Sequence, residues 1–234
     1  FNLFHPVEGE ILMFHRVLQE RSSIEDKSNI AIEISTQFFE NTILSYKKGG
    51  YRFVSLDDVY NQLSKNKHVS KKFVCVTFDD GFVDNFEIAY PILKKYNCPF
   101  TIYVTLGFVD KTENIWWYDE IIPGEKKIAL NYDQLILLSK DSLCTIGSHT
   151  VSHPRLAELS PEEQFKEMMD SKMRLEEIIE NEVIHLSFPH GSYNEETLKI
   201  AKKCGYITAT RNFGDVTRKR DNPYTLNRRY IFEK

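Results

Sequence analysis

Short apolar runs rich in β-branched and aromatic residues alternate along the chain with segments whose apolar residues recur every three or four positions. The short runs predict strands at Ile11–Phe14, Phe73–Phe78, Phe100–Thr105, Leu143–Ile146, Val183–Phe188 and Tyr206–Thr210. The longer segments predict helices at Thr36–Lys48, Leu56–Leu63, Asn85–Tyr96, Tyr132–Ser139, Pro161–Glu180 and Glu195–Lys203. A strand followed by a helix, repeated, calls for parallel strands joined by crossover helices, because a parallel neighbour cannot be reached by a tight hairpin. The expected class is α/β. At 234 residues the chain suits a single domain, 1–234, since α/β barrels reach this size undivided.

Punctuation supports the helix boundaries. Ser160-Pro161-Glu162-Glu163 holds a capping serine, a proline at the first helical position and a glutamate three residues after the cap. Gly49-Gly50 is a stop after Thr36–Lys48. The stretch from Asp110 to Lys127, with Trp116-Trp117 and Pro123-Gly124, lacks periodicity and reads as an insertion loop. Its tryptophans have two readings: aromatic walls for a sugar ring, or indoles packing the loop onto the domain. No internal repeat or low-complexity linker interrupts the pattern.

Composition narrows the partners. A net charge of −4 argues against a general nucleic-acid grip, which needs a basic face. No apolar run approaches the roughly 20 residues that span a bilayer, so no transmembrane segment is expected. The chain opens at Phe1 with no basic-then-apolar leader. That fits a soluble protein, either cytoplasmic or exported with its signal peptide removed. Four cysteines, Cys75, Cys98, Cys144 and Cys204, are scattered singly and read as buried free thiols. Composition sets neither compartment nor oligomeric state.

Three segments carry candidate chemistry. In Val74-Cys75-Val76-Thr77-Phe78-Asp79-Asp80-Gly81 an apolar strand ends in two adjacent carboxylates. In a parallel barrel such strand ends form the active face. Neighbouring carboxylates repel unless a cation or shared proton relieves them, and adjacent strand residues point oppositely, so the two can hold different roles. Gly147-Ser148-His149-Thr150-Val151-Ser152-His153-Pro154 also follows a strand. Its histidines are four apart, one helical turn, a spacing that lets both face one metal. Two histidines and a carboxylate leave open positions for water and substrate, as hydrolytic metals require. One divalent ion is expected: Zn²⁺ suits this donor set, and Fe²⁺, Co²⁺ and Ni²⁺ fit it too. Phe188-Pro189-His190-Gly191 turns a third strand into a helix and can aim a backbone N–H at a developing oxyanion.

These segments together resemble the polysaccharide deacetylase family, carbohydrate esterase family 4. Thr77-Phe78-Asp79-Asp80-Gly81 resembles its first motif, Ser148–Pro154 its second, and Phe188-Pro189-His190-Gly191-Ser192-Tyr193 a variant of its third. The similarity runs from Ile11 to about Arg229. It implies a distorted (β/α) barrel, usually of seven strands, and metal-dependent removal of acetyl groups from an acetylated carbohydrate. By the resemblance, Asp79 is the catalytic base, Asp80, His149 and His153 hold the metal, and the His190 backbone N–H, beside Pro189, binds the oxyanion.

The resemblance also has gaps. Ser187 stands where the third motif usually carries the arginine that orients the base, and the segment Leu226-Asn227-Arg228-Arg229 offers Arg228 as its replacement. No histidine follows His190 to serve as the family's late general acid. Ile11-Leu12-Met13-Phe14-His15-Arg16-Val17 is similar to the first strand of a circularly permuted subgroup typified by poly-N-acetylglucosamine deacetylases. That similarity implies His15 as the acid. The activity implied is hydrolysis of an N-acetyl group on a sugar, releasing acetate. An O-acetyl esterase and a carbohydrate-binding pseudoenzyme are the alternatives.

Overall fold

The computed structural model describes residues 9–20, 32–64, 72–110, 115, 128–212, 214 and 221–233. Its centre is a sheet of parallel strands. In chain order these are β1 (Gly9–Phe14), β2 (Arg16–Leu18), β3 (Glu33–Ser35), β4 (Arg52–Phe53), β5 (Phe73–Phe78), β6 (Phe100–Val104), β7 (Cys144–Ser148), β8 (His185–Ser187), β9 (Thr208–Thr210) and β10 (Arg229–Tyr230). The main sheet runs β10-β1-β5-β6-β7-β8-β9, with β4 added beside the start of β5, while β2 and β3 form a separate parallel pair. A parallel bridge between Thr210 and Leu226 draws β9 towards the segment leading into β10. The sheet thereby curls into a distorted (β/α) barrel, the expected class.

Side-chain parity divides the core in two. Along β5, Val74, Val76 and Phe78 join the large apolar cluster under the helices, while Phe73 and Cys75 join a smaller cluster with Ile11, Tyr103 and Leu226 inside the barrel. The same alternation holds in β1, where Leu12 and Phe14 face the helices and Ile11 faces inward. Strands buried on both faces are continuous hydrophobic runs, which is why the runs were legible as strands. Gly147 is required here, because a Cβ would sit 2.5 Å from the ring of Tyr103, its register partner on the neighbouring strand β6.

The helices α1 (Thr36–Lys48), α2 (Leu56–Ser64), α3 (Tyr90–Lys95), α4 (Leu106–Asp110), α5 (Tyr132–Ser139), α6 (Pro161–Ile179) and α7 (Glu195–Lys203) accompany the strands. Ser160 caps α6 as its sequence predicts, exchanging hydrogen bonds with Glu163 in a capping box. The segment predicted as one helix from Asn85 to Tyr96 differs: residues Asn85–Ala89 form a wide π turn before α3 begins. Such turns gather near functional sites, and this one follows the Asp79-Asp80-Gly81 loop closely. Cys75, Cys98 and Cys204 are buried, Cys144 is half-buried, and all four are free thiols. Among the described residues no helix is long and apolar enough to cross a membrane.

Candidate metal and catalytic centre

Parity carries the inward face past the strand ends. Cys75 and Thr77 are followed two residues on by Asp79, Ile11 and Met13 by His15, and Gly147 by His149. These side chains therefore gather where β5, β1 and β7 finish. Asp80 breaks the strand with φ 73°, and Gly81 follows with φ 80°. Positive φ at a residue with a Cβ costs about 1–3 kcal/mol and persists where its surroundings force it. The turn lets Asp80 meet the histidines although it is adjacent to Asp79.

Asp80, His149 and His153 each offer one ligand atom, and the three atoms lie within 4.8 Å of one another. His149 Nε2 is 3.5 Å and His153 Nε2 3.3 Å from Asp80 Oδ1. That carboxylate oxygen is buried and has no hydrogen-bond partner. His149 Nδ1 lies 2.9 Å from the Ser187 carbonyl. A carbonyl accepts, so Nδ1 carries the proton and Nε2 presents its lone pair towards Asp80, the tautomer a metal ligand needs. Burial first, then the charge of Asp79, pushes the Asp80 carboxyl well above its ordinary range. Burial also lowers His149 to about 4 and holds His153 well below the usual histidine value. Neutral imidazoles beside an unsatisfied carboxylate oxygen fit a divalent cation.

The two histidines do not share a helical turn. Residues 149–153 form a loop in which Thr150 and His153 take positive φ of 67° and 59°. The spacing succeeds through this bend rather than through helical periodicity. Glu167 on α6 holds the loop, its carboxylate accepting from the Val151 and Ser152 N–H groups at 2.9 Å each and from the Ser152 hydroxyl at 2.7 Å. Nothing in the sequence distinguishes Glu167 from the other glutamates of that helix.

Asp79 sits beside this triad, its Oδ2 3.9 Å from His149 Nε2. Arg228 grips both of its oxygens, Nη1 to Oδ1 and Nη2 to Oδ2, each at 2.6 Å. The guanidinium is fully buried, donates to Ser187 Oγ at 2.9 Å and Asn212 Oδ1 at 3.0 Å, and lies over the Tyr103 ring. Ser187, the residue in the usual arginine position, thus accepts from the arginine supplied by the distant C-terminal segment. Burial alone would raise Asp79, but the charge of Arg228 and its two hydrogen bonds outweigh it. The carboxylate stays below its ordinary range and ionised.

His15 lies in the connection between β1 and β2, its ring edge-on to Tyr230 with centroids 5.9 Å apart. Its Nδ1 is buried without a hydrogen-bond partner. Burial lowers the ring to about 4 against the opposing pull of Asp79. His190 has φ 57° in the short turn Pro189–Gly191, and its ring lies 4.5 Å from that of His153, centroid to centroid. The first turn of so short a helix leaves the His190 N–H without an acceptor within the helix. Trp116 and Trp117 lie outside the described residues.

The structure therefore brings Asp79, Asp80, His149, His153 and Arg228 into one cluster, with His190 on its His153 side. Chemistry of this kind at the C-terminal mouth of a parallel barrel marks a broad class of barrel enzymes. The family model for polysaccharide deacetylase matches residues 66–209, and the chain belongs to that family. Over 201 residues it is 31% identical to the polysaccharide deacetylase-like YxkH of Bacillus subtilis (strain 168), covering 86% of this chain and 63% of that protein. Over 180 residues it is 27% identical to the poly-beta-1,6-N-acetyl-D-glucosamine N-deacetylase of Staphylococcus aureus (strain N315), covering 74% of this chain and 58% of that protein. The chain thus spans about three-fifths of the length of these curated relatives. Among solved structures, the Streptococcus pyogenes deacetylase PplD in complex with acetate superposes with a TM-score of 0.83 at 31% identity, covering 97% of this chain and 94% of that one. IcaB from Ammonifex degensii has the same fold, with a TM-score of 0.79 at 24% identity over 96% of this chain and 91% of that one.

Proposed function

We propose that this chain is a divalent-metal-dependent hydrolase that removes acetyl groups from N-acetylated amino sugars of a poly- or oligosaccharide, releasing acetate. The observation that carries the reading is the triad of Asp80, His149 and His153 set against an ionised, arginine-clamped Asp79. The names of the Staphylococcus aureus relative and of the acetate-bound Streptococcus pyogenes structure support the substrate and product class.

Asp80, His149 and His153 would hold the metal, which supplies Lewis acidity by lowering the pKa of a water and polarising the acetamide carbonyl. Asp79 takes the proton of the attacking water. Arg228, with Ser187 and Asn212, fixes that carboxylate and keeps it charged until the proton arrives. The His190 backbone N–H donates to the oxygen as it becomes an oxyanion, next to Pro189. An amide nitrogen cannot leave as an anion, so His15 delivers a proton to the departing amine. With its value near 4 in the free protein, His15 is neutral at pH 7, so it takes a proton from bulk water as negative charge builds up in the reacting complex and passes it to the amine, while the proton on Asp79 returns to solvent.

The burial of His15 Nδ1 without a hydrogen-bond partner, which disfavours the charged ring an acid needs, favours an O-acetyl esterase, because an alkoxide needs less help to leave. Acetate release from matched N-acetylated and O-acetylated oligosaccharides separates the readings. The N-deacetylase reading expects turnover of the N-acetyl series and a free amine equal to the acetate released. Turnover confined to the O-acetyl series contradicts it, and binding without acetate from either series marks a pseudoenzyme.

A further inference from the structure

His149 is oriented by its own ring hydrogen bond to the Ser187 carbonyl, but the buried Nδ1 of His15 has no such partner. Among the described residues the His15 ring has an edge contact with Tyr230, and its direction follows from the backbone that carries it. That segment is gripped at three successive residues, through the backbone of His15 and Val17 and the side chain of Arg16. The Asn85 side-chain amide donates to the His15 carbonyl at 2.7 Å. Asp84 accepts from the Val17 N–H at 2.8 Å with one carboxylate oxygen and pairs with Arg16 Nε at 2.8 Å with the other. Arg16 and Asp84 are both almost fully buried, and the guanidinium lies over the Phe82 ring at 5.2 Å.

Asp84 precedes and Asn85 opens the π turn, with Phe82 and Val83 separating Asp84 from Asp79-Asp80-Gly81. The loop carrying the base and the metal carboxylate is therefore tied to the segment carrying His15. We propose that Asp84 and Asn85 are a positioning pair that sets the reach of His15 to the leaving nitrogen. The proposal rests on the reading of His15 as the general acid. Residues that brace only the fold would affect all substrates alike, whereas residues acting through His15 should matter where a leaving group needs a proton.

A double-mutant cycle separates these cases, with Asn85→Ala, His15→Ala and the double variant each assayed on an N-acetylated oligosaccharide and on an aryl acetate. Asn85→Ala should lower kcat on the amide about tenfold or more, as a misplaced catalytic group does. KM and metal content should hold within about twofold, and the loss on the aryl ester should be much smaller. In the His15→Ala background, Asn85→Ala should cost little more, since its effect runs through the missing ring. Thermal unfolding is recorded for each variant. If Asn85→Ala does not fold, Asn85→Ser, which keeps a small hydrogen-bonding group, takes its place in the cycle. Equal losses on amide and ester, or losses that multiply in the double variant, would overturn the positioning role while leaving His15 as the acid. Undiminished amide turnover in His15→Ala alone would overturn the reading of His15, and the positioning inference with it.

Discussion

At the scale of single residues, two adjacent carboxylates are driven apart by their neighbours. Asp79 is held ionised by a two-pronged contact with Arg228, while Asp80 has a buried oxygen facing two neutral imidazoles. Asp79→Asn should therefore abolish acetate release with metal still bound, because an amide cannot accept the water's proton. Asp80→Asn should instead weaken metal binding itself. Metal content measured beside turnover for both variants checks this, and exchanged phenotypes would reverse the roles. The carboxylate pair and the histidine pair were legible because each follows an apolar run. Arg228 could be reached only as a candidate, since 149 residues separate it from Asp79 and no local pattern reports such a pairing. Asp84 and Asn85 went unread although they continue the first motif, because their partners at positions 15–17 become neighbours only when β1 lies beside β5.

At the scale of elements, the histidine loop shows what sequence spacing conveys and what it omits. A four-residue separation suggests a helical turn, yet Thr150 and His153 adopt positive φ in an irregular loop. Periodicity does not encode a bend held by a side chain from another element, here Glu167 of α6. Glu167→Gln keeps the shape but replaces one accepting oxygen with a donor. Because Glu167 is half-buried, it should cost about 1 kcal/mol of stability, the net scale of a hydrogen bond that water can partly replace. It should also weaken metal affinity about tenfold, as losses in the support of metal ligands do. Competitive Zn²⁺ titration against a chromophoric chelator checks the second effect, and unchanged affinity would show that the loop holds its shape without Glu167. The predicted helix from Asn85 is continuous into α3, but its first turn is wound wider, a change of hydrogen-bond pattern that apolar spacing does not report.

At the scale of the whole molecule, parallel strands joined by helices were legible from the alternating pattern and the barrel from the family resemblance, whereas the inward face was not, because the strands are apolar on both faces. The short strands β4 and β10 were not legible either, since two residues carry no period. Gathering titratable groups at the barrel mouth has a consequence for stability. His15 and His149, each near 4 when folded, have an ordinary value of 6.5. The unfolded chain then binds more protons between those values, so their contribution is fully present above about pH 6.5 and is lost as pH falls towards 4. Asp80, raised by burial, acts in the opposite sense and offsets part of this loss. With His153 adding to the histidine side, thermal unfolding of metal-free protein should show a falling Tm from pH 7 to pH 4. The fall should be smaller for His15→Asn. A flat or rising Tm would contradict the buried neutral histidines.

The central claim is that a metal held by Asp80, His149 and His153 makes this barrel an N-deacetylase. It is tested most directly by following acetate release from an N-acetylglucosamine oligosaccharide while protein stripped by a chelator is titrated with Zn²⁺. The account predicts no release from the stripped protein and activity that rises with added metal until one equivalent is bound. The same titration of His153→Ala should saturate at a much higher concentration or not at all. Full acetate release from protein verified to be metal-free, or an unchanged titration in His153→Ala, would contradict it.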